Sequence, residues 1–403
     1  MRDIYHRELP VRFLFPIDGD CLNEGDGLRQ GEMLLLKVKA AAPAGAKVCI
    51  NGKAALETFP GEFSAAVPVK PGRRELALSA EGMPGETISV FWLPKAEKGF
   101  RLSVDDNLLF FADLTEKTSC RSIFENPYLT MYRELHEETG VKVHLNLFYQ
   151  TGDLSYFSGN RPYFDLSRMT DRFKEEWEEN AGWLKLSFHS REEFMGPVPY
   201  GDVEPEVIAG DAGKTMGEIR RFAGEKSLSE ATTVHCCGCP IENLRALRDE
   251  GVRIFTGFVG EEGKVELAYC YPKEVGDRLS KRHFWVDTAE GIALARIDSI
   301  LNGVPPTKVL ERMEQIWETK QDAHFLEVMI HEQYFYSDYR HYIPEFREML
   351  RTACRFLMEF GEVSNTCNFT PPNVALHLSV AAVITALGSL SFVDGRRPPL
   401  GKD

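Results

Sequence analysis

Hydrophobic and polar positions fall into two regimes along the chain. Over residues 1–95, short β-prone runs (Val11–Phe15, Glu32–Ala40, Lys47–Ile50, Ser64–Val69, Glu75–Ser79 and Thr87–Leu93) alternate with turn-forming stretches. The turns include Asn23–Gly27, Pro43–Gly45, Asn51-Gly52, Pro71-Gly72 and Gly82–Gly85. Asn-Gly tolerates positive φ at both positions, which a tight hairpin demands. Short strands at this density predict a small all-β, immunoglobulin-like sandwich over 1–95. No cluster of acids, histidines or cysteines falls in it.

After the polar linker Pro94–Gly99, apolar runs of strand length alternate with segments of helical period. Asn126-Pro127 offers a cap and a first-turn proline; Tyr128, Met131, Tyr132 and Leu135 follow on one face, and Gly140 ends the helix. Strands are expected at Val141–Tyr149, Trp183–Phe188, Thr232–Cys236, Val252–Phe258, His283–Val286 and Phe325–Ile330. Helices are expected at Leu166–Asn180, Ala212–Ala223, Pro240–Glu250, Thr307–Glu318 and Ile343–Phe360, with a short one within Ala289–Asn302. Lys264–Tyr271 reads as an excursion. Alternation of this kind implies a parallel sheet, and strands apolar but for one residue, such as Phe325–Ile330 with its Glu327, imply helices on both faces. The element count fits a β/α barrel over 96–365, with a C-terminal extension over 366–403. In such barrels chemistry sits at the C-terminal ends of the strands.

Composition narrows the partners. The net charge of −14 comes without a long basic run, which argues against nucleic acid. The N-terminal Met1–Glu8 stretch lacks the apolar core of a secretory signal, so a cytoplasmic, reducing setting is expected. Val374–Phe392 has the length of a membrane span, but its His377, Thr385, Gly388 and serines favour a buried helix or tail; no membrane partner is expected. Nothing in the sequence points to an oligomeric state. Of nine cysteines, Cys236, Cys237 and Cys239 are the only cluster. Zinc held by them with Cys270 or His235 is a rival reading, but neighbouring strand residues face opposite ways and would not converge without a turn.

The strand-end rule selects the candidate chemistry. Gly99–Asn107 ends in Asp105-Asp106, Trp183–Phe188 runs into His189 and then Glu193, and Phe325–Ile330 ends at His331-Glu332. Adjacent carboxylates repel each other unless they are solvated or share a cation. Parallel strands place all these groups around one mouth. Aromatic residues near the strand ends, including Phe148, Tyr149, Tyr156, Phe157, Tyr163, Tyr334 and Tyr336, are candidates for stacking on sugar faces.

From Gly99 to about Gly361 the chain resembles the polysaccharide deacetylase family of carbohydrate esterases. The family's Thr-Phe-Asp-Asp-Gly motif is matched by Ser103-Val104-Asp105-Asp106-Asn107, and its His-Ser/Thr-x-x-His motif by His189-Ser190-Arg191-Glu192-Glu193. The family's strand ending in Arg-Pro-Pro-Tyr-Gly before a helix is echoed, without its arginine and prolines, by His235–Pro240, and its late apolar strand ending in histidine by Met329-Ile330-His331-Glu332. The resemblance implies Asp105 as general base, His331 as general acid, and Asp106 and His189 as ligands of a divalent metal. Glu193 stands where the family has its second histidine ligand, which makes a one-histidine, two-carboxylate site suited to zinc or a harder divalent ion. His235, Tyr149 and Tyr334 are the expected substrate contacts. The implied activity is metal-dependent hydrolysis of an N-acetyl or related amide or ester on a saccharide. Two alternatives remain open at this point: an inactive carbohydrate-binding barrel, and a glycosidase using paired carboxylates such as Asp105 and Glu193.

Overall fold

The computed structural model describes residues 3–360 except 93–98, 194, 197, 262–263, 266–268, 283 and 320–324. The 366–403 extension and Val374–Phe392 lie outside the described residues, as does most of the linker.

The N-terminal part is all-β. One sheet joins Arg12–Phe15, Met33–Ala41, Glu62–Val69 and Leu56–Phe59, with Gly27–Gln30 added on Met33–Ala41; the other joins Cys21–Leu22, Met83–Trp92, Gly72–Ala80, Val48–Ile50 and Lys53–Ala54. The two sheets bury one shared core, with Leu34, Leu36 and Val38 from the first and Ile50, Leu78 and Val90 from the second. Asn51 and Gly52, at φ 48° and 74°, make the predicted hairpin turn between Val48–Ile50 and Lys53–Ala54. The edge strand Leu56–Phe59 went unpredicted because every side chain in it is exposed, so it shows no alternation to read.

The rest is mixed α/β and built on parallel strands. We label the strands β1 (Gly99–Asn107), β2 (Val143–Phe148), β3 (Leu184–Ser190), β4 (Ala231–Thr232), β5 (Ile254–Glu261), β6 (Phe284–Asp287), β7 (Ile292–Ile297), β8 (Ser299–Ile300) and β9 (Phe325–His331). The helices are α1 (Leu109–Glu116), α2 (Pro127–Thr139), α3 (Lys174–Asn180), α4 (Pro205–Phe222), α5 (Ile241–Asp249), α6 (Lys273–Lys281), α7 (Val309–Thr319) and α8 (Phe346–Phe360). One sheet has the order β3-β2-β1-β9-β8, all parallel. The second runs β4-β5-β7-β6, with β6 antiparallel at its edge. A single parallel bridge, Leu186 to Leu228, leads from β3 toward β4. Among the described residues the ladders make two sheets and no closed ring of hydrogen bonds.

Local signals placed several elements well. Asn126 Oδ1 accepts from the backbone N–H of Tyr128 and Leu129, and Gly140 closes α2 in the left-handed region at φ 72°. Other expectations fail for identifiable reasons. Ile292–Ile297 is strand β7, not a helix: every residue in it is buried, so its Ala-Leu-Ala-Arg sequence carries no amphipathic period. The expected single helix Leu166–Asn180 is a short turn at Leu166–Arg168 followed by α3. Thr232–Cys236 is a strand only over Ala231–Thr232; the chain then turns through His235–Cys237, with Cys236 at φ 59°.

Beneath the strand ends lies a buried ionic pair. Arg101 on β1 donates to Glu327 on β9 at 2.7 Å, and both are sealed from solvent. Ser103 donates to the same carboxylate at 3.0 Å. Removing either partner of such a pair strands a charge in the core, so the pair ties β1 to β9 in register.

Candidate metal centre

The site forms where β1, β3 and β9 end and β4 turns. On one side β1 pairs continuously with β9, up to Asp105 opposite His331. On the other side its register with β2 slips: Val104 faces Leu145, yet Asn107 faces Leu147. One extra residue therefore sits in β1, a β-bulge, and Asp106 takes φ 64° within it. A regular strand would send two consecutive aspartates to opposite faces. The bulge re-aims Asp106 toward β3 while Asp105 meets β2.

Asn107 holds this bulge. Its buried Nδ2 donates to the carbonyls of Val104, at 2.6 Å, and Asn146, at 3.1 Å, and its Oδ1 accepts from the Tyr128 hydroxyl at 2.9 Å. The left-handed position falls on Asp106 rather than on 107, so asparagine serves where the motif has glycine.

Asp106, His189 and His235 converge, and all three are buried. Asp106 Oδ1 lies 3.0 Å from His189 Nε2 and 3.5 Å from His235 Nδ1, and the two ring nitrogens are 3.0 Å apart. The other nitrogen of His189 contacts the Thr233 carbonyl. A carbonyl only accepts, so Nδ1 carries the proton and the Nε2 lone pair faces Asp106. Glu193 Oε1 sits 3.5 Å from His235 Nε2, which favours the proton on that nitrogen and leaves Nδ1 directed at the cluster. Three acceptor atoms crowded this closely require a cation among them, either a proton or a metal. Ligand atoms around a tetrahedral zinc stand about 3.3 Å apart, so these spacings suit one. Two imidazoles and a carboxylate also form the donor set of zinc hydrolases and of non-haem iron sites.

The charges respond to this crowding. Burial opposes ionisation of Asp106, but His331, His189 and His235 outweigh it and hold the carboxyl well below its usual range. Burial likewise opposes protonation of His235, yet the Cys236, Glu193 and Asp106 side chains push it up to about 11.

The remaining predicted residues take distinct places. Asp105 is buried and accepts from Asn146 Nδ2 at 2.6 Å. Ser187 fixes that amide by donating to Asn146 Oδ1 at 2.9 Å. His331 Nε2 stands 3.9 Å from Asp106 Oδ2, and its Nδ1 is 2.8 Å from Asn302 Oδ1. Gln333 Nε2 donates to Asp106 Oδ2 at 2.8 Å. Glu193 lies one step out, against His235, and is not among the three convergent groups. A half-open cleft lies beside Asp106, with Phe148, Tyr156, Phe157 and Tyr339 among its walls and Gln150 and Glu193 among its polar edges. Tyr149 and Tyr334 are not in that lining: Tyr149 packs against the main core, and Tyr334 sits beside Tyr339, ring centroids 5.2 Å apart. Beyond Phe148 at the end of β2, two loops carry Tyr156, Phe157 and Tyr339, clamped by Arg161, which donates to Asp338 at 2.9 and 2.6 Å.

Sequence reasoning gave His235 a substrate contact and passed over Asn146, Gln333 and Asn302. The signal for His235 was present, since the strand-end rule applies to β4 once its early end is recognised. The three amides carry no signal of their own; only the fold brings them to the acids. No thiol joins the convergent ligand group: Cys239 is buried, Cys236 and Cys270 are exposed, and all are free, Cys236 acting only as a neighbour of His235. Among the described residues the one convergent group of potential ligands is Asp106, His189 and His235.

Glu332, next to His331, is fully buried, and burial pushes its carboxyl up to about 7 against the hydrogen bonds it accepts from the amides of Leu108, Leu109 and Phe110 and from Tyr336. Its folded value thus exceeds the 4.5 of an ordinary glutamate. The stability contributed by its proton is complete below the lower value and lost as pH rises through the upper one, a swing of about 3 kcal/mol. Urea unfolding from about pH 5 to about pH 8 is expected to show wild type losing this increment and Glu332→Gln keeping a flatter profile; parallel profiles would refute the titration.

The fold and site define a class: a mixed α/β protein whose parallel strands deliver an Asp-His-His cluster to an aromatic-walled cleft. No protein-family model and no curated protein sequence matches the chain. Among solved structures it is similar to a CE4 family pseudoenzyme from Bacillus anthracis, at 14% identity over 67% of this chain and 63% of that one, with a TM-score of 0.29. The chain thus spans less than two thirds of that protein. A mutant CE4 family pseudoenzyme with restored enzymatic activity matches at 14% identity over 69% and 74% of the two chains, TM-score 0.29. A candidate polysaccharide deacetylase involved in O-antigen biosynthesis, from Bordetella bronchiseptica, matches at 12% identity over 67% and 93%, TM-score 0.35. Likenesses this distant leave the functional assignment to the residues themselves.

Proposed function

We propose that the chain is a divergent hydrolase of the polysaccharide deacetylase type, removing an N-acetyl or related acyl group from a saccharide with the help of a divalent cation. In this reading residues 1–95 form an immunoglobulin-like sandwich, and the parallel strands of the two sheets are arcs of a deacetylase-type β/α barrel spanning 96–365. The single observation that carries it is the convergence of Asp106 Oδ1, His189 Nε2 and His235 Nδ1 beside an aromatic-lined cleft, where a bound cation would take the place of the His235 proton.

Asp106, His189 and His235 hold the cation; Glu193 orients His235, as the Thr233 carbonyl orients His189. When bound, such a cation polarises an amide carbonyl and makes water a stronger acid. Asp105 supplies the general base: Asn146 holds one carboxylate oxygen, and the carboxylate takes the proton of the attacking water. His331, braced by Asn302 at its far nitrogen, gives a proton to the leaving nitrogen as the C–N bond breaks. Phe157 and Tyr339, packed on each other in the cleft wall, supply apolar surface against which a pyranose can rest.

The reading is tested by loading the protein with zinc and following acetate release from an N-acetylated chito-oligosaccharide. Release that chelation abolishes and zinc restores is the expected result. Binding of the oligosaccharide without any acetate, with the metal bound, would reduce the protein to a carbohydrate-binding barrel.

A further inference from the structure

One buried charge beside the site has no place in the chemistry above. Glu332 follows His331 directly and is completely enclosed. Its Oε2 accepts from the backbone N–H of Leu108 at 2.6 Å and of Leu109 at 2.9 Å, while Oε1 accepts from the N–H of Phe110 and from the Tyr336 hydroxyl, both at 2.8 Å. The three amides open α1, and they follow Asp106 by only two to four residues. Both carboxylate oxygens are therefore spent on one short stretch of chain.

That stretch needs holding. Asp106 sits at φ 64°, where a residue with a Cβ rarely stays unless its surroundings over-determine it. Upstream, the backbone is anchored by the ladder that sets Asp105 opposite His331. Downstream, it is anchored by the Glu332 carboxylate. Two consecutive residues of the β9 end thus grip the bulge from both sides, and Gln333, next in line, donates to Asp106 itself at 2.8 Å.

We propose that Glu332 is a positioning residue: its carboxylate, clamped on the Leu108, Leu109 and Phe110 amides, holds the strained Asp106 turn in the conformation that presents Oδ1 to His189 and His235. The inference rests on the reading of those three residues as a cation site. Glu332 touches neither cation nor substrate; it acts through the turn. A glutamine in its place keeps the volume, but its NH₂ group faces donors where an oxygen had accepted, so at least one pair of hydrogen bonds is lost.

The test is cobalt(II) titration of the full chain, read by the visible spectrum of the bound ion, on wild type, Glu332→Gln and Tyr336→Phe, with thermal unfolding as the check on folding. Glu332→Gln is expected to stay folded, bind cobalt about tenfold or more weakly and shift the spectrum, a loss of the size that outer-shell partners produce. Tyr336→Phe removes one hydrogen bond and spares the three amides, so it is expected to change affinity by less than about threefold. A merely structural role for Glu332 would lower the unfolding midpoint and leave spectrum and affinity unchanged, and that result overturns the proposal. Wild type that takes up no cobalt would instead sink the cation site. The clamp is then decided without metal, by hydrogen exchange: in wild type the Leu108, Leu109 and Phe110 amides are expected to exchange as slowly as those in the middle of α1. Exchange at open-loop rates would refute the clamp, and so would Glu332→Gln that leaves their rates unchanged.

Discussion

Asp105→Asn is expected to lower kcat for acetate release about a thousandfold, within the range a general base contributes, and to leave zinc affinity within about threefold of wild type. The substitution is isosteric, and its amide oxygen still accepts from Asn146 Nδ2, the 2.6 Å contact that holds the native carboxylate. Only proton acceptance is lost. Asp105 is buried and lies outside the convergent ligand group, so the cation has no direct stake in it. The measurement is steady-state kinetics beside zinc calorimetry. Activity within about tenfold of wild type would remove Asp105 as the base. A collapse of zinc binding would instead move it into the ligand set.

The second large effect separates two ligand sets. His235→Ala is expected to weaken zinc binding by more than about a hundredfold, and Glu193→Ala by about tenfold, the scale of an outer-shell partner. His235 Nδ1 stands 3.0 Å from His189 Nε2 and 3.5 Å from Asp106 Oδ1, whereas the Glu193 contact runs to the far nitrogen of His235. Calorimetric titration of both variants decides the matter. The reverse order would restore Glu193 as the ligand that the motif spacing alone suggests, and would return His235 to a substrate contact.

That contrast shows what can be read from the chain. Glu193 attracts attention because it lies four residues after His189. Yet the segment after β3 is irregular rather than one helical turn, so the two side chains do not share a face by spacing. His235 was visible near the end of an expected strand, as a substrate contact or a partner of the cysteines, and not as a ligand beside Asp106 and His189. Its place at the mouth depends on β4 stopping at Thr232, a boundary set by tertiary contacts and not by β-propensity. Asp106 needed the bulge in β1, which requires two partner strands out of step, and one strand's sequence does not reveal that.

Taken by itself, the sequence determined the all-β start, the parallel α/β body and the end of the strands at which acids and histidines gather. It could do so because strand alternation, helix period and capping are short-range effects written into neighbouring residues, as in Asn126-Pro127 and Gly140. Only the tertiary structure decided that His235 joins Asp106 and His189, that Asn146 holds Asp105, and that Glu332 grips the turn after Asp106. Those contacts join residues 41 to 224 positions apart, and at that separation partnership is settled by register and bulges, to which local patterning is blind.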